Sequence, residues 1–353
     1  MKENLKIVHC GIFNERDNGN FFYGLERKMS HGLSQNGHFV YNFSYRDEER
    51  NLRLLGIKDS GLKKMNKKLI DICMNIKVDV LFLAKAEKIS IETISTIKKL
   101  LPNLKVIQWY VDHLEENDAF FEKLNVVDVF YYANAKDLQT LSNRYTETIF
   151  SFFPNISDPA FDKNINLDKI NDVIYIARDY NEDVRSKFAV LLKDFCEKEN
   201  IKYEIFASLN NKPVFGNDFH EAIGRTKIAI NFNRDDTLEK NNEEKLLGAS
   251  DRMAQFLGSK ICTFSPRING FEKLYKDEKD IVYFDNPDDC FNKLKEYLST
   301  EKFKKIAESG QSRTFNIANS KRVTKFMLEV VFNNELSETY EWSKYIFKEG
   351  KTI

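Results

Sequence analysis

Short apolar runs alternate with longer helix-patterned segments along most of this chain, and that alternation leaves few folds open. Leu5–Phe13, His38–Ser44, Val78–Ala84, Val106–Val111, Val127–Tyr132 and Thr148–Phe153 read as strands. Between them, residues 21–36 and 61–76, Ser90–Leu101, a short piece at Ala119–Leu124 and Lys136–Tyr145 carry apolar side chains at helical spacing. Strands that are apolar almost throughout are buried on both faces, and parallel neighbours need a crossover of a dozen or so residues, usually a helix. The pattern therefore predicts a parallel α/β sheet with right-handed crossovers.

The sequence Pro154-Asn155-Ile156-Ser157-Asp158-Pro159 interrupts the series, and the polar stretch to Asn171 reads as an interdomain linker. A second series follows: strand Val173–Ala177, helix Glu182–Glu199, strand Tyr203–Ala207, helix Phe219–Arg225 and strand Ile228–Asn233. The charged loop Asp235–Gly248 reads either as a lid or as an ordinary surface loop. Helices at Asp288–Leu298, Glu301–Ser309 and Ser320–Phe332 lead to a tail of mixed aromatics and lysines. The expected division is an N-terminal domain at 1–165, a second at 166–335 and a tail at 336–353. A chain of 353 residues can give each of two domains its own core.

Composition narrows the function. Fifty-four basic residues balance 54 acidic ones, so neither domain is expected to bind nucleic acid. Five well-separated cysteines without a C-x-x-C pair point to reduced core thiols. No apolar run approaches the ~18–20 residues of a membrane span, and the N-terminus lacks a signal-peptide pattern. A cytoplasmic protein is expected, with peripheral membrane association at most.

The densest information lies between Ser250 and Asn286. Ser250-Asp251 is a good N-cap pair, Arg252 falls in the first turn, and Met253, Phe256 and Leu257 form an apolar stripe. Ile261–Phe264 is a short buried strand, after which Ser265–Gly270 breaks the chain before a helical piece at Phe271–Tyr275. Backbone N–H groups at such a helix start suit an anion such as a diphosphate.

This element resembles one found in the CgeB-like (spore-maturation-type) glycosyltransferases, a family of GT-B architecture. The family writes it as R-x-F-E-A-L-A-x-G, an apolar strand, a Gly-Leu-Glu turn and a V-x-Y-x-D strand. Here Arg252 and Leu257 are kept, Gln255 stands at the glutamate, Lys260 replaces the glycine, Gly270-Phe271-Glu272 forms the turn, and Val282–Asp285 closes the match. Further landmarks are Ile174–Arg178, Arg185, Ile228–Asn233, Ala307–Gly310 as a helix end, and Arg322. A looser likeness runs through Gly37–Val40, Trp109–Asp112 and Pro154–Pro159. The resemblance implies an α/β protein of GT-B fold, two Rossmann-like domains with a crevice between them. The second domain would bind a nucleotide-diphosphate sugar as donor, and the first would present a saccharide, lipid or protein hydroxyl as acceptor. The family glutamate commonly holds the nucleotide ribose. Gln255 can still exchange hydrogen bonds there but cannot act as acid or base.

Ligands in doubly wound folds gather beyond the carboxyl ends of strands. On that rule, with the resemblance, the expected donor-binding set is Arg178, Asn233, Arg252, Gln255, Lys260, Asn269, Gly270 and Phe271. Arginines and Lys260 would offset the charge that develops on a departing nucleoside diphosphate. Surface ion pairing is the plainer reading of each. Asp112-His113, after the strand ending at Val111, is the expected catalytic pair, with His as base and Asp as orienter, or Asp as base alone. The alternative is a helix-capping Asp beside a surface His, with Asp17, Glu15 and His31 next in line as base. His220 is a weaker candidate for donor contact. The loop Asn14–Asn20 lacks a G-x-G-x-x-G fingerprint, and no D-x-D or His/Cys/Asp cluster has metal-ligand spacing, so neither cofactor nor metal is expected. The two glutamates that many retaining enzymes place with seven residues between them are replaced by Leu247 and Gln255, which leans towards inversion. A nucleotide-sugar epimerase or hydrolase, or a catalytically silent binding protein, would fit the same architecture.

Overall fold

A computed structural model describes residues 4–112, 114, 120–163, 165–178, 183–233, 238 and 246–353. His113 and most of the loop 235–248 lie outside these described residues. The chain divides into two compact units, 1–154 with 320–353, and 155–319.

The first unit is built on β1 (Lys6–Gly11), α1 (Leu25–Gln35), β2 (Phe39–Ser44), α2 (Tyr45–Asn51), α3 (Lys58–Ile76), β3 (Val80–Ala84), α4 (Ile91–Leu100), β4 (Lys105–Tyr110), α5 (Phe120–Lys123), β5 (Val129–Tyr132), α6 (Leu138–Arg144) and β6 (Ile149–Phe152). These six strands are parallel in the order β2-β1-β3-β4-β5-β6. All five residues of β3 are buried, as continuous apolar runs require. Ser90 caps α4 through Thr93 N (3.2 Å).

The second unit contains β7 (Asn171–Ile176), α7 (Val184–Glu199), β8 (Tyr203–Phe206), α8 (Gly216–Gly224), β9 (Thr226–Ile230), α9 (Asp251–Gly258), β10 (Cys262–Pro266), β11 (Val282–Phe284), α10 (Pro287–Thr300) and α11 (Phe303–Ile317). Its parallel sheet runs β8-β7-β9-β10-β11. Phe188 of α7 stacks on Phe232 (4.8 Å between centroids) and Phe284 (6.0 Å), which joins helix and sheet into one core. Asn286 caps α10 with Pro287 at its first position.

The chain then returns to the first unit as α12 (Ser320–Val331), β12 (Ile346–Lys348) and β13 (Lys351–Thr352). This differs from the expected division, which gave this last helix to the second domain and left 336–353 as a bare tail. Contacts give the reason. Gly32 of α1 lets α12 approach so closely that a Cβ there would lie 2.2 Å from Ser320 O. Asn36 Nδ2 donates to Lys321 O (2.8 Å), and Tyr131 Oη to Met327 O (2.7 Å). Arg322 packs against Tyr340 and Trp342 and pairs with Glu338 and Glu341, which fastens the tail. Beyond it β12 pairs antiparallel with β6 and covers that edge of the sheet.

The other boundary also moves. Residues 155–163 are no loose linker: Asn155 Nδ2 donates to Ala249 O (2.6 Å), Ser157 Oγ to Ala254 O, and Ser157, Asp158 and Asp162 are buried. One helix is added and two local readings change as well. The segment Tyr45–Asn51 is helical, α11 continues through Gly310 to Ile317, and the piece after Gly270 is a three-residue 3₁₀ turn, Phe271–Lys273. Gly310 is glycine because a Cβ would sit 2.4 Å from Asp280 O, not because a helix ends there. All five cysteines are free and buried, and burial raises each thiol's pKa. Among the described residues no helix is long and apolar enough to cross a membrane.

Candidate functional site

In the second unit the chain leaves β7 towards β8 on one side and towards β9 on the other, so the topological switch point lies between β7 and β9. Four groups converge on the carboxyl edge there. Arg178 is exposed two residues past β7. Arg185 occupies the first turn of α7 with its guanidinium buried, and its Nε donates to the capping Asp183 (3.2 Å). Asn231 and Asn233 follow β9, and α9 carries Arg252 in its first turn and Gln255 one turn on from its start.

A polar network ties the β9 exit to α9. Ser250 Oγ donates to Asn231 Oδ1 (2.6 Å), Ser250 N to Asn233 Oδ1 (2.9 Å), and Arg252 Nη2 to Phe232 O (2.9 Å). Asn233, expected on the donor, thus supports the start of α9. Gln255 Nε2 donates to Asp251 Oδ2 one turn back (2.7 Å). Asn269 is exposed, and its carbonyl accepts from Leu247 N (2.9 Å), which lays residues 246–247 beside Gly270. Gly270 has φ +76°, which favours glycine. The helix start expected here to offer N–H groups is only the 3₁₀ turn, and Phe271 N already donates to Ile268 O (3.1 Å), while the Phe271 ring is buried against Tyr275.

Lys260 is the member of the expected set that the structure separates from the others. It precedes β10, at the amino edge of the sheet, roughly 12 Å along the helix axis from Arg252, and pairs with Glu308 (2.9 Å). Its φ of +57° explains why the family pattern has glycine at this position. His220 is buried on α8 with its ring edge-on to Phe219.

The first unit has its own switch point, between β1 and β3. Lys85 and Ala86, just past β3, both hold left-handed backbone (φ +48° and +54°). Lys85 Nζ pairs with the exposed Asp112 (2.7 Å), one end of the expected catalytic pair. Glu87 accepts from Tyr45 Oη and from Arg46 Nε (2.7 Å). Burial alone would raise the Glu87 carboxyl, but these hydrogen bonds outweigh it and hold its pKa below the ordinary value. Lys123 Nζ donates to Ala86 O, and burial pulls its pKa down to about 8 against the opposing charge of Glu87. Glu15 is tied to Arg27 (3.2 Å), and its N–H donates to Asp47 (2.9 Å). His31 lies on α1.

Arg185 and the Tyr45–Arg46–Glu87–Lys123 cluster were absent from the sequence-based site. Glu87 and Tyr45-Arg46 each follow a strand, so the strand-end rule applied to β2 and β3 would have found them. Among the described residues no group of three or more His, Cys, Asp or Glu side chains is placed to hold a metal ion.

Solved structures match over most of the chain, with residues of both units covered. HepE from Anabaena in complex with UDP-glucose superposes with a TM-score of 0.60 at 10% identity, over 94% of this chain and 100% of that one. A glycosyltransferase from Rickettsia africae ESF-5 gives 0.57 at 11%, over 94% and 99%. The fold is GT-B. A putative UDP-N-acetylglucosamine 2-epimerase from Listeria monocytogenes also matches, with a TM-score of 0.57 at 9% identity over 96% and 99%. A sequence-family model described as glycosyl transferase-like matches residues 183–329, from the N-cap of α7 into α12, and so covers most of the second unit. No curated protein matches the chain.

Proposed function

We propose that this protein is a glycosyltransferase, of the CgeB-like kind, that moves a sugar from a nucleotide-diphosphate sugar to a hydroxyl on a saccharide, lipid or protein. The observation that carries the reading is the convergence of Arg178, Arg185 and Arg252 on the carboxyl edge at the β7/β9 switch point, the last two within the stretch that matches a glycosyl transferase-like model. Expulsion of a nucleoside diphosphate builds negative charge, and fixed guanidinium groups stabilise it. On this reading Gln255 and the loop at Asn269–Phe271 hold the rest of the donor, and Lys260 has no part in it. The first unit presents the acceptor, with Asp112-His113 as the base.

Thermal unfolding with UDP, GDP, TDP, CDP and ADP tests the donor site. A nucleotide at about 100 times its dissociation constant stabilises the fold by about 2.7 kcal/mol. An unmoved melting temperature with all five at millimolar concentration overturns the reading. Transfer, once observed, is expected to persist in EDTA, because arginine carries the charge that a metal would otherwise offset. Product analysis separates transfer from epimerisation, the activity named for the Listeria monocytogenes neighbour.

A further inference from the structure

Four aliphatic side chains stand out of the first unit between α2 and the first turns of α3. Leu54 is 57% exposed, Leu55 91%, Ile57 54% and Leu62 37%. Their presentation is built, not loose. Ile57 N donates to Leu54 O (2.9 Å), Leu54 N to Ser60 Oγ (2.8 Å), and Ser60 Oγ to Ile57 O (2.8 Å), which closes a locked turn. Both central residues of that turn have positive φ, Leu55 at +50° and Gly56 at +76°. Turns of this form favour Asn-Gly, because a bulky side chain is strained in left-handed backbone. Leucine at the tip is therefore costly twice: its backbone is strained, and its side chain lies in water. The fold recovers neither cost.

The ground around the tip is strongly cationic. Residues 50–68 hold seven basic residues and one acidic, in a chain whose basic and acidic residues balance overall. Arg53 and Lys68 are engaged with Glu49 and Glu48, whereas Lys58, Lys63, Lys64 and Lys67 stand exposed along α3 next to Leu62. Aliphatic residues at a rigid tip with lysines behind them match the two layers of an anionic bilayer surface. The apolar groups enter the acyl boundary, and the long lysine stems carry their charge to the headgroups. A nucleic acid would draw on the lysines but gain nothing from Leu54, Leu55 and Ile57.

We infer that the turn Leu54–Ile57 with the exposed face of α3 docks this protein onto an anionic membrane surface. The inference stands apart from the donor-site reading, since it uses no residue of the second unit.

Co-sedimentation with vesicles tests it. The wild-type protein should pellet with vesicles of phosphatidylcholine plus phosphatidylglycerol, stay in solution with phosphatidylcholine alone, and be released by high salt. Leu55→Asn places a residue suited to left-handed backbone at the tip, so it should keep or raise the melting temperature while weakening vesicle binding about tenfold. Lys63→Gln with Lys64→Gln should weaken binding by about tenfold or more. Three results overturn the inference: wild type that stays in solution with the anionic vesicles, equal binding to both vesicle types, or folded variants that bind like wild type. Binding to an acidic polypeptide or polynucleotide in the absence of vesicle binding would overturn it in favour of that partner.

Discussion

His9 sits in the middle of β1 with no exposed surface, and its hydrogen bonds fix its protonation. Ser30 Oγ gives its one proton to Asn42 Oδ1 (2.7 Å), so at the His9 contact (2.8 Å) it must accept from Nδ1–H. Nε2 is then the bare nitrogen, buried among Phe13, Phe82 and Trp109 with no hydrogen-bond partner among the described residues. Burial accordingly lowers the His9 pKa from 6.5 to about 3. Between these values the unfolded chain binds a proton that the folded chain refuses, so stability is full above pH 6.5 and falls as pH drops towards 3. The expected slope from this residue is about 1.4 kcal/mol per pH unit. Urea unfolding at pH 7, 6 and 5 should show His9→Gln losing stability on acidification by about one proton less than wild type.

The same residue-by-residue reasoning bears on the donor edge. Charge-assisted hydrogen bonds are worth roughly 1.5–3 kcal/mol, so Arg252→Ala should weaken nucleoside diphosphate binding about ten- to a hundredfold in a folded protein. Titration calorimetry measures this, and unchanged affinity would return Arg252 to its backbone contact with Phe232 as its whole role. Gln255→Glu installs the glutamate of the CgeB-like pattern that this stretch resembles. It should preserve nucleotide affinity and add no ionisation to the pH profile of turnover, because the expected work of this side chain is hydrogen bonding.

Among the elements, the seam between α1 and α12 is where the C-terminal segment is held to the first unit. Gly32 has no room for even one methyl group, because the obstacle is the Ser320 carbonyl and not a movable side chain. Gly32→Ala should therefore separate the two helices and destabilise the fold by about 1–3 kcal/mol, although alanine is the better helix former. Chemical denaturation against wild type checks both sign and size. This seam also shows where sequence reading reaches its limit. The alternation of apolar runs and helices predicted both sheets, because the 2.0 and 3.6 periodicities are local properties of the chain. Nothing local tells Ser320–Val331 that its partner is α1, nearly 300 residues earlier. The tail hairpin was illegible for a similar reason: three residues, Ile346–Lys348, are too few to show a period, and β6 supplies their register. At the site, Arg252 and Arg178 were legible because their positions follow from strand order. Lys260 was misplaced because the motif gives a residue's place in the sequence but not the edge of the sheet on which it emerges. Arg185 and Glu87 needed only the strand-end rule applied evenly.

At the scale of the whole molecule, the proposed function gives the donor to the second unit and the acceptor to the first, so the two groups of residues should fail in different ways. Arg252 variants should lose nucleotide affinity. Variants of the first unit should keep that affinity and lose turnover. Asp112 ends the β4 exit and is paired with Lys85 across the β3 exit, next to the strained residues 85–86. General base catalysis contributes about 10²–10⁴-fold, so His113→Ala and Asp112→Asn should each reduce kcat by about that factor with nucleotide affinity intact. If the two act as a unit, the double variant should be little worse than the more damaging single one. Glu87→Gln is the control that discriminates. Glu87 accepts hydrogen bonds from Tyr45 and Arg46, so its loss should perturb acceptor KM or stability more than kcat. Single variants of Asp112 and His113 that transfer sugar at wild-type rates, beside a Glu87→Gln variant that does not, would move the base from the β4 exit to the β3 exit.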